Sequence, residues 1–138
     1  MENTIIVGVK AVILNNGRAL IIKRAKSEKI GGGTWEPVGG ILEFGEDIEV
    51  ALRREIKEEV GFTVTINKIL YASTFKTDPS RQVVILTYLC ETENTNVSLS
   101  DEHEEFIWAT KEDLKQLLPL NILEDFEKNK VFSLKGLI

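Results

Sequence analysis

A single cysteine, Cys90, stands in this chain, so no internal disulfide can staple it and the fold must rest on packing. A lone thiol fits a reducing compartment, and the cytoplasm is the expected location. With one histidine, His103, beside that one cysteine, there are too few nitrogen and sulfur donors for a tetrahedral zinc site. No apolar run approaches the roughly 18 residues of a membrane span, so no membrane partner is expected. The opening Met1-Glu2-Asn3-Thr4 has no basic region and no long apolar segment after it, which argues against a secretory leader. Nor is there a dense basic block: 17 Lys and Arg face 22 Asp and Glu, a net charge of −5, and duplex nucleic acid is a poor candidate partner. What remains, 138 residues with 43% hydrophobic and 28% charged side chains, suffices for one domain, spanning 1–138, with a core of its own.

Against these absences stands a surplus of glutamate in one helix-forming segment. At about 100° per residue, Ile48, Leu52, Ile56 and Val60 drift slowly round one side with Ala51 beside them, while Asp47, Arg53, Arg54 and Lys57 take the other. By the same arithmetic Glu55 and Glu59 land within roughly 20° of Ile48, and Glu58 about 80° from it. Three carboxylates therefore point toward the edge of the core. They repel one another on adjacent turns, and partial burial adds a desolvation cost for each uncompensated ion. Clustered hard oxygens suit Mg²⁺ or Mn²⁺, which bind through a few carboxylates and fill their remaining positions with water and substrate phosphate. On the helix alone a second reading stays open: a solvated acidic face, stabilised by i, i+4 pairs such as Arg54 with Glu58.

The residues around the helix carry a resemblance. From Gly40 to Phe62 the chain matches the signature of the Nudix hydrolases: Gly, five residues, Glu, seven residues, Arg-Glu, a hydrophobic residue, any residue, Glu-Glu, any residue, Gly, a hydrophobic residue. All nine specified positions are satisfied. The likeness extends upstream through Trp35-Glu36-Pro37-Val38-Gly39-Gly40 and downstream to Glu102-His103-Glu104-Glu105-Phe106-Ile107-Trp108. In one respect it departs, because many members place Pro directly before the Gly-Gly pair, whereas here Val38 intervenes after Pro37.

That resemblance implies an α/β/α sandwich, a mixed β-sheet between helical layers. It also implies Mg²⁺ as cofactor, with Mn²⁺ as a substitute, held by the Gly40 carbonyl, Glu55, Glu58 and Glu59. The three glutamates would be the catalytic set, Glu58 and Glu59 as principal ligands and Glu55 completing the cluster or orienting the attacking water. Glu46 and Arg54 resemble the ion pair that fixes the loop against the helix. The implied reaction is water attack on a diphosphate linkage of a nucleoside diphosphate derivative, foremost a nucleoside triphosphate giving the monophosphate and pyrophosphate. ADP-ribose or a nucleotide sugar is the alternative substrate, and a nucleotide-sensing module without turnover is the alternative from another class. An isomerase on the same scaffold is a third, weakened by the place of Cys90 within an apolar strand.

Along the rest of the chain, residues 4–14 read as a buried strand, Asn15-Asn16-Gly17-Arg18 as a hairpin turn, and Ala19 to Arg24 as the returning strand. Residues 25–34, with Gly31-Gly32-Gly33, read as a loop. Asp47 is the expected N-cap of the helix and Gly61 its terminator. Strands are expected over 63–74 and 82–90, joined by a loop holding Lys76, Asp78, Pro79 and Arg81. Residues 91–105 read as polar and acidic, 106–109 as a short strand, and 111–118 and 121–130 as helices parted by Pro119.

Outside the box, Arg24, Trp35 and Glu105 are the expected substrate contacts: a guanidinium for phosphate, an indole for stacking and an acidic group before the tryptophan strand that reaches metal or water, a role for which Glu102 and Glu104 are candidates beside Glu105. Arg81 is also available to phosphate, and Trp108 to a base. His103 invites the role of general base, but its acidic neighbours would raise its pKa and make it a poorer one. Self-association as a homodimer stays open.

Overall fold

The computed structural model describes residues 2–138. Its centre is β1 (Thr4–Asn15), whose β-branched run is buried on both faces in its second half. The chain reverses at Asn16 and Gly17, both at positive φ (48° and 82°), into β2 (Arg18–Arg24). Those two strands pair for only two rungs, Leu14 with Ala19 and Asn15 with Arg18, and then splay. Into the gap comes β3 (Trp35–Ile41), antiparallel to both.

This third strand was not expected. The sequence pattern assigns no element to residues 35–41, and a proline and two glycines within seven residues weaken a strand pattern. The segment is nevertheless extended because β1 and β2 hold it from either side.

Helix α1 (Ile48–Val60) follows, then a long hairpin of β4 (Thr65–Asp78) and β5 (Arg81–Glu91), then β6 (His103–Ala109), α2 (Lys111–Leu117) and α3 (Leu120–Lys128). The sheet order is β4-β5-β1-β3-β2-β6, with β1 and β5 parallel and the other pairs antiparallel. The hairpin strands run further than expected. Asp78 accepts the Ser80 N–H at 2.8 Å, folding Pro79 and Ser80 into a tight turn instead of a loop.

Alternation along the central strands gives the sheet two cores, so the mixed six-stranded sheet lies between helical layers as expected. Val9, Ala11, Ile13, Leu20, Ile22 and Val38 meet Leu52, Ile56 and Val60 of α1. Val12, Ala19 and Ile21 meet Leu114 of α2, Leu118 at its C-terminal cap and Phe126 of α3 on the opposite side. Each side anchors one wall of the cleft described below.

Two expectations about α1 need correction. Ile48 is exposed, so the buried row begins at Leu52. Asp47 has the extended backbone of an N-cap but makes no capping hydrogen bond. Gly61 does end the helix in the left-handed region (φ 86°), its N–H donating to the Lys57 carbonyl. Among the described residues no helix is long and apolar enough to cross a membrane.

Candidate active site

The inward edge of α1 meets β3 at its two glycines. Gly39 sits at φ 151° against the backbone of Val9 and Lys10, where any side chain would collide. Its N–H donates to Glu59 Oε1 at 2.8 Å, so strand geometry fixes the glutamate. Glu59 is buried, 7% exposed. Burial pushes its carboxyl up to about 7, against the opposing pull of Lys10, the Gly39 N–H and His103. Next to it, the Glu55 carboxylate occupies the space that a Cβ on Gly40 would fill. Its pKa is also raised, by burial first, with Arg54 pulling the other way.

Arg54 organises the outer side. It grips Glu46 through two bonds, Nε to Oε2 at 2.7 Å and Nη2 to Oε1 at 2.9 Å, and donates to the Ile41 carbonyl at 3.1 Å. Glu46 in turn accepts the Glu43 N–H at 2.8 Å, and these bonds hold its carboxyl down at about 2. The ion pair expected from the sequence is therefore present, and it straps the loop before α1 to the helix. Arg54 Nη1 also reaches Glu55 at 2.8 Å and Glu58 at 3.4 Å. Because the guanidinium draws both of these toward itself, no three carboxylate, imidazole or thiol groups among the described residues already converge on one ion position. Glu58 is the most exposed of the three glutamates, its side chain 59% accessible.

A second carboxylate lies inside, and the sequence reading gave it no role. Glu36 of β3 receives Lys10 Nζ at 3.2 Å and lies 3.6 Å from Arg24 and 3.7 Å from His103 Nε2. Burial works against its charge, but Lys10, His103 and Arg24 together outweigh it and hold the carboxyl at about 2. Lys10 was also overlooked, although a signal existed: it is the one charge inside the apolar run of β1.

A cleft of about 840 Å³ runs from these carboxylates across the sheet face. One end is acidic, with Glu43, Glu55, Glu58, Glu59 and Glu102. The other is apolar, with Ile6, Phe75, Val83, Ile85 and Ile122. Arg24 and Trp35, two of the three expected substrate contacts, line it as well, and so does Arg81. Arg24 is already engaged by Glu28 at 3.1 Å and the Ile30 carbonyl at 2.9 Å. Glu105 is absent from the cleft wall, exposed instead and paired with Lys23 at 3.0 Å. Trp108 packs in the α1-side core, its ring stacked on Phe62 at 6.4 Å. His103, expected in an acidic exposed segment, is buried between Glu36 and Glu59.

The NUDIX domain profile matches residues 4–129, nearly the whole chain. The chain belongs to the NUDIX domain family. Among its relatives, this NUDIX chain is 33% identical to the nucleoside triphosphatase NudI of Escherichia fergusonii, over 92% of its own length and 94% of that protein's. Its fold matches that of the MutT protein from Methanosarcina mazei Go1 with a TM-score of 0.85 at 26% identity, covering 98% of this chain and 99% of the other. The MutT NUDIX hydrolase from Burkholderia pseudomallei matches at 0.78 with 28% identity, over 91% and 98%. The profile match runs from β1 through α3, well beyond the box by which the family resemblance was first legible.

Proposed function

We propose that this chain, acting as a single NUDIX domain, is a Mg²⁺-dependent pyrophosphohydrolase that cleaves nucleoside triphosphates to the monophosphate and pyrophosphate. The observation that carries this reading is Glu59, a buried carboxylate at the acidic end of the cleft, held by the Gly39 N–H and left without a fixed cation within salt-bridge distance apart from the His103 contact at 3.9 Å. The relatives named nucleoside triphosphatase, matched over almost their whole length, support the substrate class.

The residues present fit a hard divalent ion. Glu59 and Glu55 are oxygen donors with raised pKa values, which a nearby positive charge would restore to the ionised form, and the missing side chain at Gly40 lets the Glu55 carboxylate come up against the β3 backbone. Glu55, Glu58, Glu59 and the Gly40 carbonyl would hold Mg²⁺, or Mn²⁺ in its place. When bound, such an ion supplies Lewis acidity toward phosphate oxygens and toward water.

The chain's own groups do the rest. Arg54 and Glu46 keep the box loop against α1, so the distance between Glu55 and the cleft floor is set before substrate arrives. Arg81 has no carboxylate within ion-pair distance among the described residues; its guanidinium donates to Thr77 Oγ1 at 3.0 Å, and its charge is available to an anionic group. The apolar end of the cleft offers side chains such as Phe75 and Ile122 on which a base could rest.

A panel of nucleoside triphosphates, ADP-ribose and nucleotide sugars, assayed with Mg²⁺ and with chelator, tests the reading. Release of pyrophosphate from at least one triphosphate, abolished by chelator, is expected. Silence toward all triphosphates with turnover of ADP-ribose would redirect the substrate assignment, and silence throughout would leave a sensor.

A further inference from the structure

One buried polar side chain has no hydrogen-bond partner on either of its ring nitrogens. The His103 imidazole is wholly shielded from solvent, with Nδ1 3.9 Å from Glu59 Oε2 and Nε2 3.7 Å from Glu36 Oε1. A side chain kept only for packing would fill this space without orphaned nitrogens, and each of these two is aimed at a carboxylate. A general base would need to reach water in the cleft. This ring is closed off from it.

The backbone puts the ring there. The His103 N–H donates to the Ser100 carbonyl at 3.2 Å, and the register between β2 and β6 shifts at Lys23 and Arg24, where β6 begins. That irregularity turns His103 inward while Glu104 and Glu105 face solvent. Behind the ring, Glu36 is itself anchored by Lys10 at 3.2 Å and Arg24 at 3.6 Å. In front, Glu59 is tied through Oε1 alone, by the Gly39 N–H at 2.8 Å, and a carboxylate held at one oxygen can still pivot.

We propose that His103 is a positioning residue for Glu59: braced by Glu36, its imidazole closes onto Glu59 Oε2 when the acidic end of the cleft takes up a divalent ion, and so fixes the carboxylate's orientation. The proposal rests on the hydrolase reading above. Closing the gap to hydrogen-bond length requires a movement of about 1 Å, of the kind that tightens a site on loading. Groups that orient a ligand in this way commonly matter to affinity nearly as much as the ligand does.

Because the chain has one histidine, a long-range ¹H–¹⁵N spectrum of tag-free protein reports on this ring alone. Titrating Mg²⁺ at fixed pH should shift the imidazole signals in step with ion uptake measured by calorimetry. Unmoved signals in protein that demonstrably takes up Mg²⁺ overturn the proposal. In parallel, His103→Leu should weaken Mn²⁺ binding, read by electron paramagnetic resonance of the free ion, about 10- to 100-fold. His103→Gln, with an N–H to offer, should recover most of that loss. Equal, wild-type Mn²⁺ affinity in both variants overturns the proposal, and so does equal weakening in both, which a space-filling role would give. Should His103→Leu fail to fold, the spectrum decides. Wild-type protein that takes up neither ion would overturn the hydrolase reading and this inference together, whereas an active, metal-binding wild type with an indifferent histidine overturns the inference alone.

Discussion

Glu36 and Glu59 flank the same imidazole, and their surroundings drive them in opposite directions. Both are carboxylates withdrawn from water, and in both burial is the largest influence on the charge. At Glu36 the pulls of Lys10, His103 and Arg24 together overcome it, two of them from fixed cations, and the group stays ionised down to about 2. At Glu59 the opposing pulls fall short, and the carboxyl rises to about 7. A charge deficit repaired with side chains marks structure. A deficit left open beside a cleft is what the proposed divalent ion would answer.

The sharpest way to break this comparison is to neutralise each carboxylate. Glu59→Gln should lower turnover by about three orders of magnitude or more, since the open deficit is what the divalent ion would answer. The same variant should stay folded, because an amide removes the cost of ionising a buried group. Wild-type turnover in Glu59→Gln would remove it from the ion site. Glu36→Gln should behave in the reverse manner, losing stability from the stranded Lys10 and Arg24 more than it loses catalysis. Steady-state kinetics and thermal unfolding on the two variants separate these outcomes.

Acidity sharpens the contrast without mutation. The Glu59 pKa is raised on folding, so its contribution to stability is complete below about 4.5 and is lost as pH climbs through about 7. The Glu36 pKa is depressed, so its contribution is complete above about 4.5 and is lost as pH falls through about 2. Each displacement corresponds to an order of magnitude of 3 kcal/mol. Metal-free protein should therefore melt at a lower temperature at pH 8 than at pH 5. Saturating Mg²⁺ should erase most of that difference, because it binds the ionised form. Melting curves at both pH values, with and without the ion, check this, and a pH 8 curve insensitive to Mg²⁺ would count against the open deficit at Glu59.

The two glycines between these carboxylates make a smaller, more local pair. A methyl group on Gly40 meets first the flexible end of Glu55, whereas one on Gly39 meets the backbone of Val9 and Lys10 at a φ that L residues avoid. Gly40→Ala should fold normally and lose roughly tenfold or more in kcat by displacing Glu55. Gly39→Ala should be damaged in stability first. Comparable melting temperatures for the two variants would contradict the packing described for β3.

How much of this was legible in the sequence follows from which interactions are local. The helix, its glutamates, the Asn-Gly hairpin and the Arg54–Glu46 strap lie within short stretches whose periodicity or motif carries them. The strand at Trp35–Ile41 was hidden because its stability comes from neighbours contributed by β1 and β2, while its own Pro and Gly residues argue for a loop. Lys10 and Glu36, 26 positions apart, meet only once that strand is in place. His103 was misjudged for the same reason: its sequence neighbours are acidic and exposed, but a register shift against β2 turns it toward Glu36 and Glu59 instead.

Glu105 supplies the weakest effect and the cleanest control on that lesson. Its place before the tryptophan strand made it a candidate for reaching metal or water, yet its side chain is 55% exposed and faces Lys23 across the β2–β6 pair. An exposed ion pair of this kind is worth little, because water and salt screen it and two long side chains must be held still. Glu105→Gln should therefore leave kcat and KM within about twofold of wild type and shift the melting temperature barely at all. Glu102, which lines the acidic end of the cleft, is the neighbour that should respond if an acidic group from this segment does reach the substrate. A large loss in Glu105→Gln with an indifferent Glu102→Gln would mean that the strand β6 presents its acidic residues in the opposite order during turnover, and that the register shift at Lys23 and Arg24 is not kept.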